Sequence, residues 1–116
     1  LINTILGMAI DINTRRPVLA NNFGGLSGPA VKPVAVRMTY ETCREVKIPV
    51  IGMGGISNGK DAVEFMLAGA SAVMIGTAGL VNPYVFEDTI EEIDAYLSEN
   101  KFTSIYDIIG KVELNN

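Results

Sequence analysis

The spacing of apolar and polar positions divides the chain into short extended runs followed by longer helical ones. Leu1 to Ile5 reads as the end of a strand, and Met8 to Asp11 and Pro17 to Ala20 are two more short strands. Asn13-Thr14-Arg15-Arg16 between them is rich in turn formers, so the pair is expected to be a hairpin, an excursion from a sheet. The segment NNFGGLSGPA, Asn21 to Ala30, has no period, and Pro29 stands where a helix would begin. A loop running into a helix is expected there.

Val31 to Val46 places apolar residues at near-helical spacing (Val31, Val34, Ala35, Met38, Cys43, Val46), and Lys47-Ile48-Pro49 ends the helix. A continuously apolar strand, Val50 to Met53, comes next. Asn58 is then a candidate N-cap for a helix over Gly59 to Leu67, stopped by Ala68-Gly69. Ala72 to Ile75 is a second apolar strand. An amphipathic, acid-rich helix is expected from about Pro83 to Leu97, and a short one around Ser104 to Ile109.

Strand and helix therefore alternate three times, the pattern of parallel β/α units, and both interior strands lack the polar alternation of a half-exposed sheet. Three units do not close a sheet. The expected fold class is α/β, as the C-terminal portion of a (β/α)8 TIM barrel, whose chemistry sits at the C-terminal ends of its strands. LINTILG reads as a strand already under way, so residues 1–116 are expected to be a single partial domain, the last three units of a barrel whose N-terminal part is absent.

Composition narrows the chemistry. With 48% hydrophobic and 19% charged residues a packed core is expected, and 13 acidic against 9 scattered basic residues argue against a nucleic-acid partner. No apolar run approaches the roughly 20 residues of a membrane span, so no membrane and a cytoplasmic location are expected. The chain has no histidine, which removes the usual metal ligand and the usual shuttle base, and no metal site is expected. Its one cysteine, Cys43, falls inside a helical pattern and is expected to be a small core residue.

What remains is glycine. PVIGMGGIS ends one apolar strand on Gly52, Gly54 and Gly55, and the other ends on Gly76-Thr77. In β/α barrels the loops after the last two strands commonly bind phosphate: glycine lets main-chain N–H groups approach its oxygens, and a helix start adds a favourable dipole. Thr77 adds a hydroxyl. The same glycines also serve as tight turns; two clusters separated by one helix favour the anion site. A third loop, Gly24-Gly25-Leu26-Ser27-Gly28, could line the same mouth. Asn3 and Thr4 lie at the end of the first strand, where an amide suits a planar ligand with N–H and C=O groups or simply makes a turn. Lys32 is either a phosphate contact or a surface lysine. Glu87, Asp88, Glu91, Glu92 and Asp94 are expected to form a solvated helix face.

Taken together, INT, NNFGGLSGPAVKP, IPVIGMGGIS and AGASAVMIGTA resemble the dihydroorotate dehydrogenases, FMN-containing β/α barrels of pyrimidine biosynthesis. The resemblance runs nearly the whole chain but covers about the C-terminal third of that barrel. GGLSGPA and NPYVF look like the NAD-linked class 1 type B subgroup. It implies an oxidoreductase taking (S)-dihydroorotate to orotate, with FAD and a 2Fe-2S cluster on a partner electron-transfer subunit that passes electrons to NAD⁺, and a homodimer within a heterotetramer. By motif, Gly28, Gly54, Gly55, Gly76 and Thr77 would bind FMN, Ile2 would lie near the flavin, and Asn3 and Thr4 would hydrogen-bond dihydroorotate or orotate. The resemblance puts the catalytic base, a cysteine in this subgroup, and a flavin-contacting lysine upstream of Leu1; Cys43 matches no such motif. Two alternatives stay open: the FMN-binding pyrimidine-reducing domain of dihydropyrimidine dehydrogenase, similar in the same loops, and a non-catalytic phosphate-binding module.

Overall fold

Phe65, fully buried, is the side chain around which the elements assemble. It projects from a helix that joins two parallel strands in a computed structural model describing residues 2–115. Strand β5 (Ile51–Met53), helix α2 (Gly59–Leu67) and strand β6 (Ala72–Met74) form this unit, with Ile51 opposite Ala72, Gly52 opposite Val73 and Met53 opposite Met74. A helical crossover is what parallel pairing requires. Helix α2 has the bounds its sequence predicts, because Asn58 Oδ1 accepts a hydrogen bond from the Asp61 N–H at 2.9 Å and satisfies a donor the helix leaves unpaired.

Helix α1 (Lys32–Glu45) enters through a 3-10 turn at Pro29–Val31, and helix α4 (Val85–Glu99) packs on the other side of α2. Ala62 and Phe65 close over Ala35, Ile56 and Ala70 to form one core cluster. Val63 and Met66 form a second with Ile108, brought in by a 3-10 turn at Ile105–Asp107 that Ser104 caps. The acidic residues of α4, Glu87, Asp88, Glu91, Glu92 and Asp94, are exposed as expected; Glu92 Oε2 in addition accepts from the Gly59 N–H at 2.7 Å, placing a carboxylate at the start of α2 where the helix dipole favours it.

The expected cover on both faces of the interior strands is also corrected. Gly52 is buried beneath Phe65, whereas Ile51 and Met74 are 46% and 49% exposed. This chain covers one face only.

Four departures concern the irregular stretches. Strand β1 is Ile5–Gly7 rather than Leu1 to Ile5; residues 2–4 hold no regular element, and Leu1 lies outside the described residues. It pairs antiparallel with β4 (Gly24–Leu26), which falls inside the expected loop. Glycine serves at Gly25 because a Cβ there would run into Thr4, Cβ included; at Gly24 it would meet only the end of the exposed Leu19 side chain, which can turn aside. The expected hairpin is present but shorter, β2 (Ile10–Asp11) against β3 (Arg16–Pro17), its turn held by the Asp11 carboxylate accepting from the Asn13 N–H. A single-turn helix, α3 (Thr77–Val81), escaped the sequence pattern because five residues are too few to show a period.

Candidate functional site

Both parallel strands run out into glycine at the same end of the sheet. The loop 53–57 after β5, the loop 75–77 after β6, Ser27-Gly28 after β4 and the segment Ile2-Asn3-Thr4 before β1 surround a single cavity of about 370 Å³. That lies in the range of small-molecule sites. The eight residues assigned by motif, Ile2, Asn3, Thr4, Gly28, Gly54, Gly55, Gly76 and Thr77, line it, whereas Gly24, Gly25 and Gly52 of the candidate loops do not. Ser27, in the third glycine-rich loop expected at the same mouth, lines it as well, and so does Asn82, for which the sequence suggested no role.

The Ser27 hydroxyl ties two loops together: Thr77 Oγ1 donates to Ser27 Oγ at 2.8 Å across the cavity mouth. Asn3 Oδ1 accepts from the Thr4 N–H at 2.7 Å, and its amide nitrogen has no partner among the described residues. One end of the amide shapes the turn while the other is available to a ligand, so the turn and ligand readings of Asn3 are compatible.

The glycines divide into two kinds. Gly54 and Gly55 have φ of +122° and +78°, a region that L side chains rarely adopt. A Cβ on Gly54 would stand 2.8 Å from Ala35 Cβ and 2.9 Å from the Ile2 side chain; one on Gly55 would stand 2.7 Å from the Gly28 carbonyl oxygen. These two are glycine because the loop folds onto its own chain. Gly28 shares the left-handed backbone, with φ of +84°, but a Cβ on it, as on Gly76, would meet nothing within 4 Å. At those positions bare main chain borders open space, a cradle suited to an anion held by N–H groups.

No charged side chain among the described residues lines the cavity. Lys32 does not reach it; its Nζ lies 2.6 Å from Asp61 Oδ1 and 2.8 Å from Glu64 Oε1. Asp61 Oδ2 also accepts from the Ser57 N–H at 2.9 Å and the Ser57 hydroxyl at 2.8 Å. Burial pushes the Asp61 carboxyl up, but the Lys32 ammonium and both Ser57 donors outweigh that and hold it below the ordinary carboxylate range. The same bonds, to Asp61 first and Glu64 second, raise Lys32 above its ordinary value. Cys43 lies away from the cavity, half-buried against Gly69, and burial raises its thiol. Among the described residues no helix is long and apolar enough to cross a membrane.

Parallel strands joined by a helix, ending in glycine loops around one cavity, define part of a β/α barrel with that cavity at the strand ends. A model of the family "Dihydroorotate dehydrogenase" matches residues 1–97, and the chain belongs to that family. It is 55% identical over 114 residues to a dihydroorotate dehydrogenase B (NAD(+)) catalytic subunit of Citrifermentans bemidjiense, covering 98% of this chain and 37% of that one. A protein of the same description from Thermoanaerobacter pseudethanolicus is 58% identical over 115 residues, covering 99% and 38%. The chain thus spans little more than a third of the length of these relatives. Among solved structures, a dihydroorotate dehydrogenase from Eimeria tenella in complex with ferulenol superposes with a TM-score of 0.76 at 27% identity, over 94% of this chain and 29% of that one.

Proposed function

We propose that this chain is the C-terminal part, the last three β/α units, of the catalytic subunit of an NAD⁺-linked dihydroorotate dehydrogenase. The complete cytoplasmic enzyme oxidises (S)-dihydroorotate to orotate in pyrimidine biosynthesis. It works as a homodimer within a heterotetramer whose partner subunit carries FAD and a 2Fe-2S cluster. The observation that carries the reading is convergence: residues from four separate segments, nominated from sequence motifs, line one cavity. The names of the relatives support the NAD⁺ link and the partner subunit.

The cavity's chemistry fits FMN. Gly28 and Gly76 offer open main chain and Thr77 and Ser27 offer hydroxyls, a donor set for a phosphate without a cation. Gly54 and Gly55 hold the intervening loop against the other wall, and Ile2 supplies apolar surface beside the flavin. Asn3 and Thr4 hydrogen-bond the pyrimidine, Asn3 through its amide nitrogen. Bound FMN supplies the hydride acceptor; the base that removes the substrate's proton comes from a part of the barrel outside this chain.

The test is flavin content in the full-length subunit. Gly76→Val adds its side chain to open space, so it should weaken FMN binding by about tenfold or more; its φ of −108° and ψ of −97° lie outside the regions valine prefers, so the apoprotein should lose some stability, but less than when a side chain collides with the protein itself. Gly54→Val and Gly55→Val should lose flavin and stability together, because their side chains collide with the protein itself. A Gly76→Val subunit that purifies with its full complement of flavin would overturn the reading.

A further inference from the structure

The Lys32–Asp61 pair sits directly behind the cavity without touching it, and the bonds around it join the loops that form its floor. Lys32 opens α1, the helix that follows the Ser27-Gly28 loop, and Ser57 closes the Gly54-Gly55 loop. Asp61 holds both: one carboxylate oxygen accepts from Lys32, the other from the N–H and hydroxyl of Ser57. Where these bonds converge the two loops touch, since a Cβ on Gly55 would stand 2.7 Å from the Gly28 carbonyl oxygen and 2.9 Å from the Lys32 main-chain nitrogen. Asp61 is itself fixed from behind by the Asn58 cap on its N–H. Glu64 is the second partner of Lys32 and is far more exposed, its side chain 49% accessible against 10% for Asp61.

We propose that Lys32, Asp61 and Ser57 form a latch that fixes the spacing of the Ser27-Gly28 and Gly54-Gly55 loops, making Asp61 a positioning residue for the phosphate end of the ligand. The inference rests on the FMN reading of the cavity. Main-chain donors stabilise an anion only when they converge on it, and loops rich in glycine have no side-chain packing of their own to make them converge. The latch supplies that constraint, with Lys32 and Asp61 outside the cavity lining and Ser57 on it. It also keeps the Lys32 charge turned away, leaving recognition to uncharged donors.

The experiment compares FMN with riboflavin, which lacks the phosphate, in the full-length subunit stripped of flavin. Dissociation constants for both are measured by flavin fluorescence for the wild type, Asp61→Asn, Ser57→Ala and Lys32→Met. The latch requires the FMN-over-riboflavin preference to fall about tenfold or more in Asp61→Asn and Lys32→Met, and by a smaller factor in Ser57→Ala, which keeps the main-chain bond. Riboflavin affinity should hardly move. The double variant Lys32→Met/Asp61→Asn should lose no more preference than the worse single one, because the two act through one bond. An unchanged preference, or equal loss of both ligands, would overturn the latch and leave the pair as ordinary packing. A preference that rises in Asp61→Asn would overturn it too, by showing that a released Lys32 binds the phosphate itself. Should Asp61→Asn fail to fold, Ser57→Ala and Lys32→Met decide by the same ratio. A wild type that binds neither flavin, or both equally, would instead sink the FMN reading.

Discussion

The stretch from Ile2 to Ala30 and the stretch from Val31 to Ile109 are built on different terms. The second holds every buried residue in the described chain, with Phe65, Ala62, Ala35 and Ile108 sealed from solvent. The first holds none, and Leu6, Ile12 and Val18 are 75%, 83% and 63% exposed. Its strands pair only with one another, as two short antiparallel ribbons. The radius of gyration, 16.6 Å against about 13 Å for a compact domain of this length, reflects the same division. The helical stretch has a core of its own; the ribbon stretch contributes part of the cavity wall and leaves its apolar side chains exposed. A site built across such a seam depends on whatever completes the fold.

The largest expected effect follows directly. Residues 1–116 expressed alone should neither oxidise dihydroorotate nor unfold as one cooperative unit with FMN, because Ile51 and Met74 leave one face of the parallel strands open. Calorimetry and a flavin titration check this, and a sharp transition with bound FMN would erase the contrast between the two stretches.

Within the full-length subunit, Phe65→Ala should cost about 3–5 kcal/mol in denaturant unfolding, since it empties the space between α2 and Gly52. A cost below 1 kcal/mol would mean that the helical stretch lacks the tight core described for it. Asn3→Ala should lower turnover of dihydroorotate by the equivalent of about 1–3 kcal/mol while FMN stays bound, as one hydrogen bond to the pyrimidine disappears from a dry site. Flavin stoichiometry and steady-state kinetics on one preparation separate the roles: flavin loss with normal kinetics in the remaining holoenzyme would reassign Asn3 to the cofactor. Smallest of all is Ile12→Ser, on the exposed hairpin turn, expected to change stability by no more than about 0.5 kcal/mol. A loss several times larger would show that another part of the assembly seats on the hairpin.

The same division explains what could be foreseen from residues alone. Helix α2 was legible to the residue because a cap, an apolar period and a glycine stop agree at Asn58, Phe65 and Gly69. The lining residues were legible because loops at the ends of barrel strands draw on few kinds of residue. Strand β4 was hidden because glycine usually signals a loop, whereas here Gly25 lets Thr4 lie across the backbone. The reason for Gly54 and Gly55 was hidden likewise: local sequence marks them as special without saying that Ala35, Ile2 and Gly28 are what press on them. Lys32, Asp61 and Ser57 span 29 positions, and nothing in their spacing joins them. Tertiary contacts between distant segments are the part that composition and period do not encode.

Gly54 lies between Ala35, from the core, and Ile2, from the cavity wall. In the currency of inherited variation, those three positions form a single locus. A methyl group added at residue 54 would press on residues 35 and 2 together and would be strained by the backbone at φ +122° even with room made for it, so residue 54 stays glycine and bounds the size of the other two. Redesign of the site for a bulkier flavin analogue therefore begins at Ile2, whose shortening to valine or alanine relaxes the glycine loop without disturbing the buried helix behind it.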